Sequence, residues 1–208
     1  MYAGEVWMDK QITLYGAGTT RSSRCRWTLM ELGLNFHYVD NNALIGTAEL
    51  KKIQPLGKLP AIVIDGESFF ESTAICTHLC DLYPEKNLNA SVGSRRRALH
   101  EQWCSFALTE IEAYLWSSYK HTSLYPAEKR IAAVVSVNTE EIMTGLTVLE
   151  DTLHTTPYLT GSNFSVTDII VGFTVNWSRS AGHLENFPVL SAYLERLHGR
   201  ELCTFKPN

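Results

Sequence analysis

The 208-residue chain is 45% hydrophobic and 19% charged, with a formal net charge of -4. That length and composition exclude a disordered chain and suit a sizeable core, in one domain or two small ones. The negative balance argues against general nucleic-acid affinity, and the one basic run, Arg95-Arg96-Arg97, reads as a solvated helix start.

Ile12-Thr13-Leu14-Tyr15 alternates as a short strand, and Gly16-Ala17-Gly18 follows as a loop. From Arg21 the pattern is helical, with Cys25, Thr28, Leu29 and Leu32 on one face and Gly33 as the C-cap. Asn35 to Val39 is a second strand, and the intervening helix makes it parallel to the first. A helix is expected from Thr47 to Ile53. Gln54-Pro55-Leu56-Gly57-Lys58-Leu59-Pro60 then leads into the strand Ala61-Ile62-Val63-Ile64, Asp65-Gly66 turns a hairpin into Glu67-Ser68-Phe69-Phe70, and Ser72 to Leu82 is helical.

Both ends of this hairpin unit carry chemistry. Pro60 at a strand start suits a cis peptide or an edge position, and either leaves the Leu59 backbone groups to pair outside the sheet. Glu71, Ser72 and Thr73 bring a carboxylate, hydroxyls and unpaired N–H groups to a helix start, which favours an anionic ligand. An extended ligand with peptide groups and a carboxylate fits both ends; an ordinary capped hairpin fits the same residues.

Pro84 to Ser94 is the sharpest change in composition and marks a linker. Beyond it the chain reads as all-α. Leu99, Trp103, Phe106, Ala107, Ile111, Tyr114 and Leu115 follow helical spacing, a second helix occupies much of Ala127 to Leu153, and Pro188 to Leu197 forms a short last one. Ser165 with Asp168 three residues on reads as a capping box, a folding device. Cys25, Cys76, Cys80, Cys104 and Cys203 match no zinc pattern, the seven histidines form no metal-ligand spacing, and no metal is expected. Met1 to Gln11 lacks the apolar core of a signal peptide and no apolar run approaches a membrane span, so the expected location is the cytoplasm.

The Leu14-Tyr15 strand with Thr19-Thr20-Arg21-Ser22-Ser23-Arg24, the Leu59-Pro60 step, Glu71-Ser72-Thr73-Ala74-Ile75, and Phe164-Ser165-Val166-Thr167-Asp168-Ile169 together resemble a cytosolic-type glutathione S-transferase, bacterial-like and of the serine/threonine type. The resemblance runs from Ile12 to Phe205. It implies an α/β plus all-α architecture: a thioredoxin-like βαβαββα domain over residues 11–83, a linker over 84–94 and an all-helical domain over 95–208. It also implies a homodimer, without nucleic acid or membrane partners.

The implied chemistry is activation of glutathione. A thiol with a pKa of about 8.5 is mostly protonated at neutral pH, and a hydroxyl donor near a helix start favours the reactive thiolate. Counting back from Arg24, the resemblance to serine-type relatives places that hydroxyl at Thr20; counting forward from Leu14-Tyr15 places it at Thr19; Tyr15 is a minor candidate. Cysteine-type relatives carry a cysteine in this loop, where the chain has Thr19, Thr20, Arg21 and Ser22, so conjugation is favoured over cysteine-based thiol exchange. For glutathione itself the resemblance implies Leu59 through its backbone, Pro60 through the turn, and Glu71 and Ser72 for the γ-glutamyl group. Lys58 or Lys51-Lys52 meets the glycine carboxylate. Tyr114, Trp116 and Tyr119 are candidate lining for a small hydrophobic electrophile or peroxide in the cleft between domains. A non-catalytic binding or assembly module and a glutathione-dependent isomerase or lyase are the alternatives on the same fold.

Overall fold

Strand β1 (Ile12–Gly16) buries Ile12, Leu14 and Gly16 and leaves Thr13 and Tyr15 half-buried, the alternation of a strand with one face in the core. The computed structural model describes residues 10–18 and 20–206. The chain divides after Lys86 into two compact units.

In the first unit β1 is followed by α1 (Ser22–Glu31), β2 (His37–Asp40), α2 (Ala48–Lys51), β3 (Ala61–Ile64), β4 (Glu67–Phe70) and α3 (Ser72–Leu82). The sheet order is β2-β1-β3-β4. β1 and β2 are parallel, as the α1 crossover requires, and the other two pairings are antiparallel. Gly33, at φ +68°, ends α1 in a Schellman motif: its N–H reaches the Met30 carbonyl and the Leu34 N–H reaches Leu29, both at 3.0 Å. Asp65 and Gly66, at φ +51° and +88°, supply the left-handed pair that a tight hairpin between twisted strands needs. Leu14, Ile62, Ile75 and Leu79 are buried in this unit's core.

Two elements differ from expectation. β2 begins at His37 instead of Asn35 and extends to Asp40, because the Schellman motif holds Leu34 back to α1 while Gly16 pairs with Asp40 at the far end. The expected helix over 47–53 shortens to Ala48–Lys51: Thr47 Oγ1 caps it by accepting the Leu50 N–H at 3.2 Å, and Pro55 disfavours a helical Gln54.

The second unit is helical: α4 (Arg95–Phe106), α5 (Ala113–Tyr119), α6 (Ala132–Leu153), α7 (Val166–Ser180) and α8 (Pro188–His198). Wide π turns at Ala107–Glu112 and Lys120–Leu124 flank α5, so the run of helical spacing is not one regular helix. Close packing explains two glycines. A Cβ on Gly145 would lie 2.6 Å from Ile111, and one on Gly172 would lie 2.3 Å from Leu197. The Ser165–Asp168 capping box opens α7. Asp168 is fully buried and accepts from Ser165 N–H at 2.9 Å and from Leu159 N–H, Ser165 Oγ and Tyr193 Oη at 3.0 Å each. Burial nevertheless raises its carboxyl to about 6. Among the described residues no helix is long and apolar enough to cross a membrane.

Candidate functional site

Helix α3 starts abruptly. Glu71, exposed and at φ +68°, precedes it in a conformation rare for a residue with a side chain, and no side chain caps the helix. Its first-turn amides and the positive end of its dipole therefore face whatever approaches. Ser72, the first helical residue, is buried, and its Oγ accepts from Arg24 Nη1 at 3.2 Å. A guanidinium can only donate, so the Ser72 hydroxyl keeps its own hydrogen for another acceptor. Thr73 Oγ1, one residue on, is buried with no partner. Arg24 is completely buried on α1, which packs against α3. A fixed cation, an oriented hydroxyl and a helix start thus converge on one point, an arrangement suited to a carboxylate.

The Leu59-Pro60 peptide is cis and stands immediately before β3. The sheet ladder begins one residue later, where Ala61 pairs with Tyr15 on β1 and Phe70 on β4, so the Leu59 backbone lies outside it. Gln54 organises the approach, its Oε1 accepting the Lys58 N–H at 2.9 Å. Lys51, Lys52 and Lys58 are exposed.

The loop between β1 and α1 is built on Ser22, which is completely buried. Its Oγ accepts the Ala17 N–H at 3.1 Å and lies 2.8 Å from Thr20 Oγ1, which also receives the Ser22 N–H at 3.4 Å. Gly16 makes room for this: a Cβ there would come within 2.7 Å of both Ser22 Oγ and the Tyr38 ring. Gly18 N–H donates to Asp40 at 3.1 Å, and Ser23 Oγ donates to the Gly18 carbonyl at 3.3 Å. Thr20 is half-buried; Thr19 lies outside the described residues. Tyr15 neighbours Gly16 on β1 and so points to the opposite face of the sheet from Ser22. Burial pushes the Cys25 thiol well above its ordinary value, and this cysteine is packed under α3, its Sγ 3.8 Å from the Ser72 carbonyl.

Within the second unit a cavity of about 350 Å³ lies between α5, α6 and the end of α7. Leu115, Tyr119, Val135, Trp177 and Ala181 line it beside His183, whose imidazole burial keeps on the neutral side. Tyr119 is exposed and stacks on Trp116 at 5.7 Å between centroids. Trp116 and Tyr114 are half-buried on α5 and do not line the cavity. Among the described residues no group of three or more His, Cys, Asp or Glu is placed to hold a metal ion.

The family models for the N-terminal and C-terminal domains of glutathione S-transferase match residues 14–87 and 124–196. The chain belongs to the glutathione S-transferase family. It is similar to the disulfide-bond oxidoreductase YfcG of Escherichia coli K12, 28% identical over 200 residues that cover 91% of each chain. Among solved structures it resembles BphK, a bacterial glutathione transferase in a ternary complex, at 28% identity and a TM-score of 0.81, over 92% of this chain and 95% of that one. The glutathione transferase URE2P6 of Phanerochaete chrysosporium, solved with oxidized glutathione, shares the fold with a TM-score of 0.83 at 22% identity, over 93% of each chain.

Against this transferase fold the residues singled out in the sequence separate into groups. Leu59, Pro60, Glu71 and Ser72 stand at the two ends of the hairpin unit, and Thr20 stands in the loop after β1. Two residues, Arg24 and Ser22, escaped the sequence as parts of the site. Arg24 reaches Ser72 across 48 positions of sequence, and no local spacing announces that contact. Ser22 reads as one more polar loop residue, and only its complete burial beneath Gly16 distinguishes it. Thr73 was legible as part of the helix start, but not as the hydroxyl left without a partner.

Proposed function

We propose that this glutathione S-transferase family member binds glutathione in its first unit and activates the thiol for attack on a small hydrophobic electrophile or a peroxide. The observation that carries the reading is the Arg24–Ser72 pair at the uncapped start of α3. It orients a hydroxyl hydrogen at a helix dipole with a buried cation behind it, which suits the γ-glutamyl carboxylate. Glu71 takes the γ-glutamyl amine, the Leu59 backbone pairs with the cysteinyl portion as Pro60 fixes the turn, and Lys58 or the Lys51-Lys52 pair meets the glycine carboxylate. Thr20, with Thr19 in reserve, donates its hydroxyl to the sulfur, and Tyr15 is the minor candidate.

The chemistry needs no protein nucleophile. The glutathione S–H gives its proton to solvent, and the anion is held by the hydroxyl hydrogen bond and by the positive end of a helix dipole. The sulfur lone pair forms the new bond to the electrophilic carbon, and the displaced group leaves with its bonding pair. The electrophile packs against the first long helical run of the second unit, with Tyr119, Trp116 and Tyr114 as lining. The protein acts in the cytoplasm as a homodimer.

A second reading, exchange of disulfides with glutathione, is favoured by the similarity to the E. coli oxidoreductase along nearly the whole chain. Burial of Cys25 then leaves glutathione's own thiolate as the attacking group. A non-catalytic assembly module has no use for an oriented hydroxyl backed by a buried cation at an open helix start.

Calorimetry with glutathione, followed by a panel of electrophiles, hydroperoxides and disulfides, tests these readings. Saturable heat and turnover of one substrate class are expected. No heat at millimolar glutathione overturns the proposal, and turnover of disulfides alone selects the second reading.

A further inference from the structure

We infer that Ser22 is a positioning residue for the thiol-activating hydroxyl: it donates to Thr20 Oγ1 and thereby commits the Thr20 hydrogen outward, to an anion. This rests on the reading that Thr20 acts on the glutathione sulfur. A serine hydroxyl has one hydrogen and two acceptor positions. Ser22 Oγ accepts from the Ala17 N–H at 3.1 Å, a donor that cannot turn away. Thr20 Oγ1 is 2.8 Å from it, and either oxygen is able to donate to the other. The Tyr38 phenol also hydrogen-bonds with Ser22, and because burial keeps it protonated its own hydrogen can go to the second acceptor position of Ser22 Oγ, which leaves the Ser22 hydrogen to Thr20.

The two possible orders differ in what they present outside. If Thr20 donates inward, its outer side offers only a lone pair, which suits a protonated thiol. If Ser22 donates to Thr20, the Thr20 oxygen receives the Ser22 hydroxyl and, at 3.4 Å, the Ser22 N–H, and its one hydrogen faces out. The chain then runs in one direction, from the Ala17 N–H through Ser22 and Thr20 to the sulfur. Hydrogen bonds in such a series polarise one another, and the bond to an anion is roughly twice as strong as one between neutral groups. A bound thiolate therefore selects the second order.

The surroundings keep the pair in place. Ser22 is completely buried, with Gly16 beneath it and the Tyr38 ring beside it, so its side chain has no room to leave. Titratable and charged groups around it are Tyr38 and Asp40 on β2, Arg24, Cys25 and Arg26 on α1, and Cys76 on α3. Burial raises both the Tyr38 phenol and the Cys25 thiol; for the Cys76 thiol burial is outweighed by hydrogen bonds to Cys25 and Thr28 and by the Arg24 charge, which lower it, so each titration is read against the same variant without glutathione.

A double-mutant cycle read by thiolate absorbance of bound glutathione against pH tests this. Thr20→Ala should raise the bound thiol's pKa by about a unit or more, and Ser22→Ala by about half a unit to one unit. Because Ser22 acts only through Thr20, the double variant should titrate with Thr20→Ala alone, while in a Thr20→Ser background the Ser22→Ala shift should return. Below the bound thiol's pKa, where the protonated form dominates, glutathione affinity should change less than about twofold in Ser22→Ala, a split that a general loosening of the loop does not produce. Should Ser22→Ala fail to fold, Ser22→Cys, a weaker donor of similar shape, should give an intermediate shift. A Thr20→Ala shift with none from Ser22→Ala, or shifts that add in the double variant, overturns the role of Ser22 alone. No shift in any variant overturns it together with the assignment of Thr20.

Discussion

Asp168 offers a sharp test of the helical unit, because its buried carboxyl has a pKa raised to about 6 against an ordinary 3.8. The direction follows from linkage. Between these two values the folded state binds a proton that the unfolded state has released, so stability falls as pH rises through this window. The contribution is fully present below about pH 4 and is lost above about pH 6, and a difference of about two units corresponds to about 3 kcal/mol. Desolvation outweighs the four hydrogen bonds that favour the anion, the Ser165 and Leu159 amides and the Ser165 and Tyr193 hydroxyls. Asp168→Asn keeps an acceptor in the same place and cannot ionise. Urea unfolding of parent and variant from pH 4 to 7.5 should therefore show the parent's advantage shrinking with pH, by at most about 3 kcal/mol. A gap that is flat with pH, or that widens, would refute the raised carboxyl and leave the ionised capping box as the stable form.

Two further outcomes are expected. Replacing Ser72 with Ala should weaken glutathione binding a few-fold to roughly a hundredfold, from loss of about 1–3 kcal/mol for a charge-assisted bond, as read by calorimetry with circular dichroism to check the fold. The protein should sediment as a dimer at micromolar concentration, since two-fold assemblies dominate among soluble oligomers, whereas a 23.4 kDa species would contradict this.

Much of the fold is written in local patterns. The alternation through Ile12-Thr13-Leu14-Tyr15, the Asp65-Gly66 turn and the Ser165-to-Asp168 spacing each depend on neighbours a few residues apart, and each forms as read. The π turns on either side of α5 did not show, because apolar residues three and four apart tolerate an extra residue in a turn. The short α2 has another cause, the influence of Pro55 on Gln54. At the candidate site the sequence pointed to Ser72 and Thr20 but not to their hydrogen-bond partners, Arg24 and Ser22. Arg24 and Ser72 meet only when α1 packs on α3, and Ser22 acquires its environment only when Gly16 and Tyr38 close around it. Such contacts belong to tertiary structure and leave no mark in spacing.

The central claim is that the first unit binds glutathione and holds it as the thiolate. Ultraviolet titration of the unmodified protein saturated with glutathione measures this directly, since the thiolate absorbs where the thiol does not. Thiolate formation is expected at least a full unit below the value of about 8.5 for a free thiol. A titration that coincides with glutathione alone, under conditions where calorimetry shows the complex formed, would contradict it.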